Sequence, residues 1–146
     1  MTPDTVFQIC NSIAMAGWFI LIVISPFWFN ADKFIIGIII TLFCIVYAWL
    51  IFSHFSFSDP AKFGSLRGVM GLFTDKNLVT AGWVHYLAFD LMTGIWIKRN
   101  ARKHGIAHWY LVPCLFLTFM LGPAGLLLYF LIRTIRTKKY FAENYS

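Results

Sequence analysis

Four apolar runs divide this chain, at about Val6–Trp28, Phe34–Phe52, Leu78–Ile97 and Trp109–Ile132. Each is close to the ~20 residues a helix needs to cross a hydrocarbon core roughly 30 Å thick. The pattern predicts an all-α integral membrane bundle of four transmembrane helices, a single transmembrane domain over residues 1–146. The runs consume most of the chain and leave no room for a separate soluble domain. Between the second and third runs, Phe63, Leu66, Val69, Met70, Leu72 and Phe73 fall on one half of a helical wheel. Arg67 and Gly64, Gly68 and Gly71 fall on the other. That period suits a short interfacial helix, while the glycines equally suit a loop that closes over a site.

The polar residues inside the runs carry the chemical information. Run 1 opens after Pro3-Asp4 and holds Asn11 and Ser12; Asn11 is expected to link helices by a hydrogen bond, with a ligand contact as the alternative. Asp32-Lys33 is read as a tight turn that makes runs 1 and 2 an antiparallel hairpin. Run 2 offers Thr41, Cys44 and Tyr47 and is read as packing. In run 3, Trp83, Tyr86, Asp90, Thr93 and Gly94 share one helical face, and His85 lies about 140° around from Asp90. His85 and Asp90 therefore either flank opposite walls of one pocket or meet different neighbouring helices. A carboxylate inside a span costs about 2.5–3.5 kcal/mol on insertion scales, so Asp90 is a candidate site residue beside its structural reading. Run 4 places Thr118, Gly122, Gly125 and Tyr129 on one small-residue stripe. Pro123 there frees the Phe119 carbonyl, which predicts a packing kink or a bend that opens room beside run 3.

Composition agrees with the pattern. The chain is 60% hydrophobic and 12% charged, against about 25% charged in soluble domains. Asp4 is the one charge before Asp32, and the first run is longer than a signal-peptide core, so it is read as a retained helix. Net charge is +6, but the basic residues cluster at run ends, as Lys98, Arg99, Arg102, Lys103 and Arg133, Arg136, Lys138, Lys139. Such clusters are topology signals or contacts to anionic lipid, and nucleic acid is not an expected partner. With four spans, one side holds both termini with Lys62, Arg67, Lys76, Arg133, Arg136, Lys138 and Lys139. The other holds Lys33, Lys98, Arg99, Arg102 and Lys103, so the tally favours both termini in the cytoplasm.

Cys10, Cys44 and Cys114 lie in or at the edge of apolar runs with no CxxC spacing and are read as apolar packers. His104 and His108 have i,i+4 spacing, but no acidic or cysteine partner is near. They are read as a solvated or lipid-facing pair, and no metal site is expected.

Three motifs occur in order: Gly82-Trp83-Val84-His85-Tyr86-Leu87-Ala88-Phe89-Asp90-Leu91, then Ala101-Arg102-Lys103-His104-Gly105-Ile106-Ala107-His108, then Leu121-Gly122-Pro123-Ala124-Gly125-Leu126-Leu127-Leu128-Tyr129. Together they resemble the abscisic-acid-deficient-four-like membrane protein family over roughly Ser65 to Arg136, and less over the first two runs. Plant members of that family are needed to make neoxanthin from violaxanthin in plastids. The chain shows no plastid transit pattern and is read as a bacterial-type member, expected in the bacterial inner membrane.

The resemblance implies an isomerase-like protein of carotenoid or isoprenoid metabolism. Turning an epoxide into an allene and a hydroxyl is an isomerisation that calls for no redox cofactor, so none is expected. It needs an acid at the epoxide oxygen and a base at a polyene carbon. A desolvated Asp90 could be the acid and neutral His85 the base, with Tyr86 donating to the developing alkoxide. Trp83, Phe89 and Trp96 would flank the polyene, with Asn11, Thr118, Gly122 and Pro123 completing a pocket. The alternative is a non-catalytic carotenoid- or lipid-binding protein that assists another enzyme. A proton-coupled carrier using Asp90 ranks last, because the internal repeat expected of carriers is absent. Expected partners are a carotenoid or other long apolar lipid, membrane lipids and, compatibly, further copies as a homo-oligomer.

Overall fold

Capping residues set the helix boundaries. Thr2 accepts from the Thr5 amide, and Pro3 fills the first turn of α1, Pro3–Ile24. Its last turn widens into a π-helical stretch, and the Ser25 hydroxyl donates to the Leu21 carbonyl at 2.7 Å. After a short turn, α2 runs Ala31–His54. Ser65 accepts from the Gly68 amide and starts α3, Leu66–Leu72. Asp75 accepts from the Asn77 and Leu78 amides and starts α4, Lys76–Lys103. Those two donors hold the exposed Asp75 carboxyl below its usual range. Helices α5, Val112–Leu121, and α6, Pro123–Thr137, follow. The computed structural model describes residues 1–55, 63–138 and 140, and regular structure among them is entirely helical.

The all-α expectation holds, and the segment between the second and third runs contains a helix, Leu66–Leu72. The four-span expectation holds in part. α1 and α2 are long and apolar enough to cross a membrane. α4 has the length, at 28 residues, but is not apolar enough to pass the same test. The fourth run is not one helix at all. At Gly122 the backbone takes φ +50° and ψ −102°, a region that L side chains rarely occupy. The chain folds back there. Gly125 lies against the Thr118 amide and the Cys114 carbonyl, whereas an unbroken helix would hold residues 114 and 125 about 16 Å apart. The Arg136 guanidinium sits 4.6 Å above the Tyr110 ring, at the other end of both arms. α5 and α6 are therefore an antiparallel hairpin with its tip at Gly122.

That tip meets the middle of α4, because a Cβ on Gly122 would lie 3.0 Å from Asp90 Oδ1. α1 runs parallel to α4, as Asn11 pairs with Trp83, Gly17 abuts Leu91, and Leu21 packs on Gly94. α2 runs antiparallel, with Asp32 at Lys98 and Tyr47 at His85. Two small residues permit this closeness. Gly17 sits where Leu91 and Ile39 converge, and Gly94 admits Leu21 and Trp18, since a Cβ there would be 2.7 Å from Leu21 Cδ2.

The hairpin also corrects the expected topology. Met1 lies at the end of the bundle where α4 starts, while Arg136 and Lys138 lie at the end where α4 stops. Met1 and Lys138 are thus at opposite ends, because Pro123 restarts a helix in the reverse direction instead of kinking one. Lys62 and Lys139, both in the sequence tally, lie outside the described residues. So do residues 56–62 of the connection before α3.

The α4 C-terminal end is tied by an ion pair. Lys98, 5% exposed, donates to Asp32 Oδ1 at 2.6 Å, and the more exposed Arg99 donates to Oδ2 at 3.2 Å. Asp32 therefore starts α2 rather than forming a free turn. Removing one partner of a buried pair leaves the other charge uncompensated, at a cost of about 3–5 kcal/mol. Asp32→Ala should accordingly lose about that much stability in a detergent unfolding titration, with Asp4→Ala staying within about 0.5 kcal/mol. The glycines give a sharper contrast. Gly125→Ala drives a Cβ into the Thr118 backbone and should cost at least about 1–3 kcal/mol. Gly37→Ala, with nothing within 4 Å of its Cβ, should be neutral or gain about 0.5–1 kcal/mol from helix propensity, read as thermal midpoints of the two proteins in one detergent.

Candidate functional site

The helix break at Gly122 leaves the last carbonyls of α5 in need of donors. The Gly122 amide satisfies Thr118 O at 2.7 Å. The Phe119 carbonyl, the one that Pro123 cannot serve, accepts from the Tyr86 hydroxyl at 3.3 Å. The sequence expectation that this carbonyl must find a partner is met from α4, across the bundle.

One turn beyond Tyr86, the carboxyl of Asp90 lies close to the same hydroxyl. Asp90 is 8% exposed. Its Oδ1 faces Gly122, and its Oδ2 is buried with no hydrogen-bond partner. A buried carboxyl oxygen with an open valence beside a phenol is a chemically competent pair: the phenol can give a proton and the carboxylate can take one. Aromatic rings wall the pair in. Trp83 lies 5.3 Å from the Tyr86 ring and Phe7 lies 5.4 Å from Trp83. Trp18 sits 5.6 Å from Phe119. The Trp83 indole N–H donates to Asn11 Oδ1 at 2.7 Å, so Asn11 is an interhelical link that orients Trp83.

His85 is not part of this group. It leaves α4 on another face, with its ring 5.4 Å from Tyr47 and 4.5 Å from Phe89. There it lines a groove of about 240 Å³ between α2, α3 and α4, together with Phe63, Leu72, Phe73 and Gly82. Of the two arrangements open from the sequence, the structure has His85 and Asp90 meeting different neighbours. Phe89 and Trp96 line a second groove, about 290 Å³, with Met92, Thr93, Leu126 and Phe130. His85, Phe89, Met92 and Trp96 follow the i, i+4, i+7, i+11 spacing of one helical face, so both grooves lie on that face of α4. Thr118 has a packing position: it is fully buried, donates to Cys114 O at 2.8 Å and is covered by Gly125. Gly122 and Pro123 make the tip itself.

Two polar groupings were not read from the sequence. Asn100 Oδ1 accepts from the Tyr129 hydroxyl at 2.6 Å and from Arg133 at 3.1 Å, and Arg133 is fully buried. The signal was present in Tyr129 and Arg133, four residues apart and so on one face of the last helix. The expectation of a solvated His104–His108 pair is overturned. His104 Nδ1 bonds the Asn100 carbonyl and His108 Nε2 the Ile22 carbonyl, each at 2.8 Å. Both are half-buried, because the C-terminus of α4 and the π-helical end of α1 present backbone oxygens there. Among the described residues no three His, Cys, Asp or Glu side chains converge on one point.

No curated protein and no solved structure matches the chain. The model of the ABA4-like family, described as ABA DEFICIENT 4-like, matches residues 5–129. The match reaches well before Ser65, so it takes in α1 and α2 as well as the motifs around Asp90 and Gly122, and this chain belongs to the ABA4-like family.

Proposed function

We propose that the protein is a membrane-embedded, isomerase-like protein of carotenoid or isoprenoid metabolism, and that Asp90 and Tyr86 are its acid–base pair. The observation that carries this reading is the buried, unpartnered Asp90 oxygen beside the Tyr86 hydroxyl at the hairpin tip. A polar group without a partner in an apolar interior is costly and is retained where it acts. Family membership supports a carotenoid-related process. In the bilayer, α1, α2 and α4 span, and the α5–α6 hairpin enters about halfway, since ten residues of helix reach only about 15 Å. Irregular backbone at that depth is tolerated where protein covers it, as α4 covers Gly122. The basic end then faces the cytoplasm, and the N-terminus the opposite side.

The chemistry closes on these two residues. For an epoxide beside a polyene, the Tyr86 hydroxyl donates its proton to the epoxide oxygen as the C–O bond breaks. The Asp90 carboxylate takes a proton from the adjacent polyene carbon, whose C–H electrons form the new double bond. Return of that proton from Asp90 to the Tyr86 phenolate resets the site with no net gain or loss. The reacting end of the polyene lies at Tyr86 and Asp90, and its tail passes Thr93 onto the Phe89, Met92 and Trp96 face, where His85 packs the tail instead of serving as the base.

The second reading is a non-catalytic carotenoid- or lipid-binding protein, favoured by the separation of His85 from Asp90. Purified protein given an epoxy-carotenoid in micelles distinguishes the two. Asp90→Asn and Tyr86→Phe should each lower turnover by about 10²–10⁴-fold, while His85→Ala should keep most of kcat and raise KM. Stoichiometric pigment that the parent protein leaves unchanged would select the binding reading. Parental turnover in both Asp90→Asn and Tyr86→Phe would sink the acid–base assignment.

A further inference from the structure

Charge in this molecule is segregated by end. Among the described residues, the end where α4 starts carries Arg67 and Lys76 against Asp4 and Asp75. The opposite end gathers Lys33, Lys98, Arg99, Arg102, Lys103, Arg136 and Lys138 around a single carboxylate, Asp32. Asp32 is already engaged by Lys98 and Arg99. The hairpin creates this asymmetry by returning the α6 cluster to the end that holds the α4 cluster.

A pocket of about 210 Å³ opens at that end between the α1–α2 turn, α4 and the segment after it. Lys98 and Arg102, one turn apart on α4, and His108 form its polar side; Pro26, Ile106 and Leu111 form its apolar side. The exposed Arg102 guanidinium supplies N–H donors, as does the Lys98 ammonium beyond its bond to Asp32, and Arg102 has the Phe29 ring, at 5.9 Å, as its neighbour. His108 is held in place by its Nε2 contact with the Ile22 carbonyl. Exposed aromatics, Phe29, Trp109 and Tyr110, ring the same end, as suits the head-group level of a bilayer.

We propose that this pocket binds the phosphate of an anionic phospholipid head group, with Lys98 and Arg102 as its ligands. Two cations one helical turn apart match a phosphate that accepts from both. Half of the lining is apolar, which a free phosphate ion would leave unused and which the glycerol and first methylenes of a lipid would cover. The site rests on the membrane reading but not on catalysis, and it lies at the end of α4, away from Asp90.

Native mass spectrometry of the detergent-purified full chain tests it, with added phosphatidylglycerol, phosphatidylcholine or inorganic phosphate. Phosphatidylglycerol should bind, and Arg102→Gln, an exposed change, should weaken it about tenfold or more, the worth of one charge-assisted hydrogen bond. Lys33→Gln, a loss of charge at the same end outside the pocket, should change it less than about twofold. Equal weakening by Lys33→Gln would mean diffuse attraction and overturn the site. Equal binding of phosphatidylcholine would overturn the selection for an anionic head group. Displacement of the lipid by millimolar inorganic phosphate would identify a soluble-anion site and overturn the lipid assignment. Polyene content, read in the same spectra, reports on the proposed function separately.

Discussion

Everything distinctive in this fold depends on one residue's backbone. Gly122 holds φ +50°, which ends α5 and lets Pro123 begin α6 in the opposite direction. A side chain there would be strained twice, by the dihedral angle and by the Asp90 carboxyl 3.0 Å from its Cβ. The reversal then needs close contact between two helix backbones, and Gly125 against Thr118 and Cys114 provides it. The same break generates the orphan carbonyl that Tyr86 satisfies. Chain reversal, helix packing and the polar centre are thus one feature seen at three scales.

A hairpin that enters the bundle from one end must be fastened at that end, because its tip offers few polar anchors. The fastening is the Asn100 amide oxygen, which receives Tyr129 and Arg133 from α6. The Arg133 guanidinium also donates to the Tyr140 carbonyl at 2.7 Å and lies 5.3 Å from the Phe130 ring. Buried arginine is expensive unless such partners surround it, so the network specifies one docking of α6 on α4. Asp32 performs the equivalent task for α2 through Lys98.

Helix content and the polar face of α4 were legible in the sequence because both rest on local periodicity. The expectation that Trp83, Tyr86, Asp90, Thr93 and Gly94 share a face is met for four of them by contacts with Asn11, Phe119, Gly122 and Trp18, while Thr93 lines the groove of Phe89. The freed Phe119 carbonyl followed from proline chemistry alone. The reversal did not, because Gly-Pro inside an apolar run fits a kinked helix as well as a hairpin. What separates them is a positive φ at Gly122 and the meeting of residues 114 and 125, which is tertiary information. The error propagated: with a straight fourth helix, Arg133, Arg136 and Lys138 were assigned to the end they do not occupy. His104 and His108 were misread for a related reason, since their partners are backbone oxygens that no side-chain pattern reveals.

The position of the reversal has an energetic logic. A carboxyl at mid-height of α4 would face lipid if the last run ended short of it. A full-length fourth helix would place side chains against it. The hairpin does neither, because its tip buries the carboxyl with a glycine that has no side chain. Above the tip, two arms shield α4 as far as its basic end; below it, Phe7 and Trp83 close the flank with rings. The polar pair therefore lies at the one level where protein covers it on one side and the bundle narrows to three helices on the other. The irregular backbone at that level is tied to the bundle by Tyr86, which donates to the Phe119 carbonyl, and to its own helix by the Gly122 amide, which donates to Thr118 O.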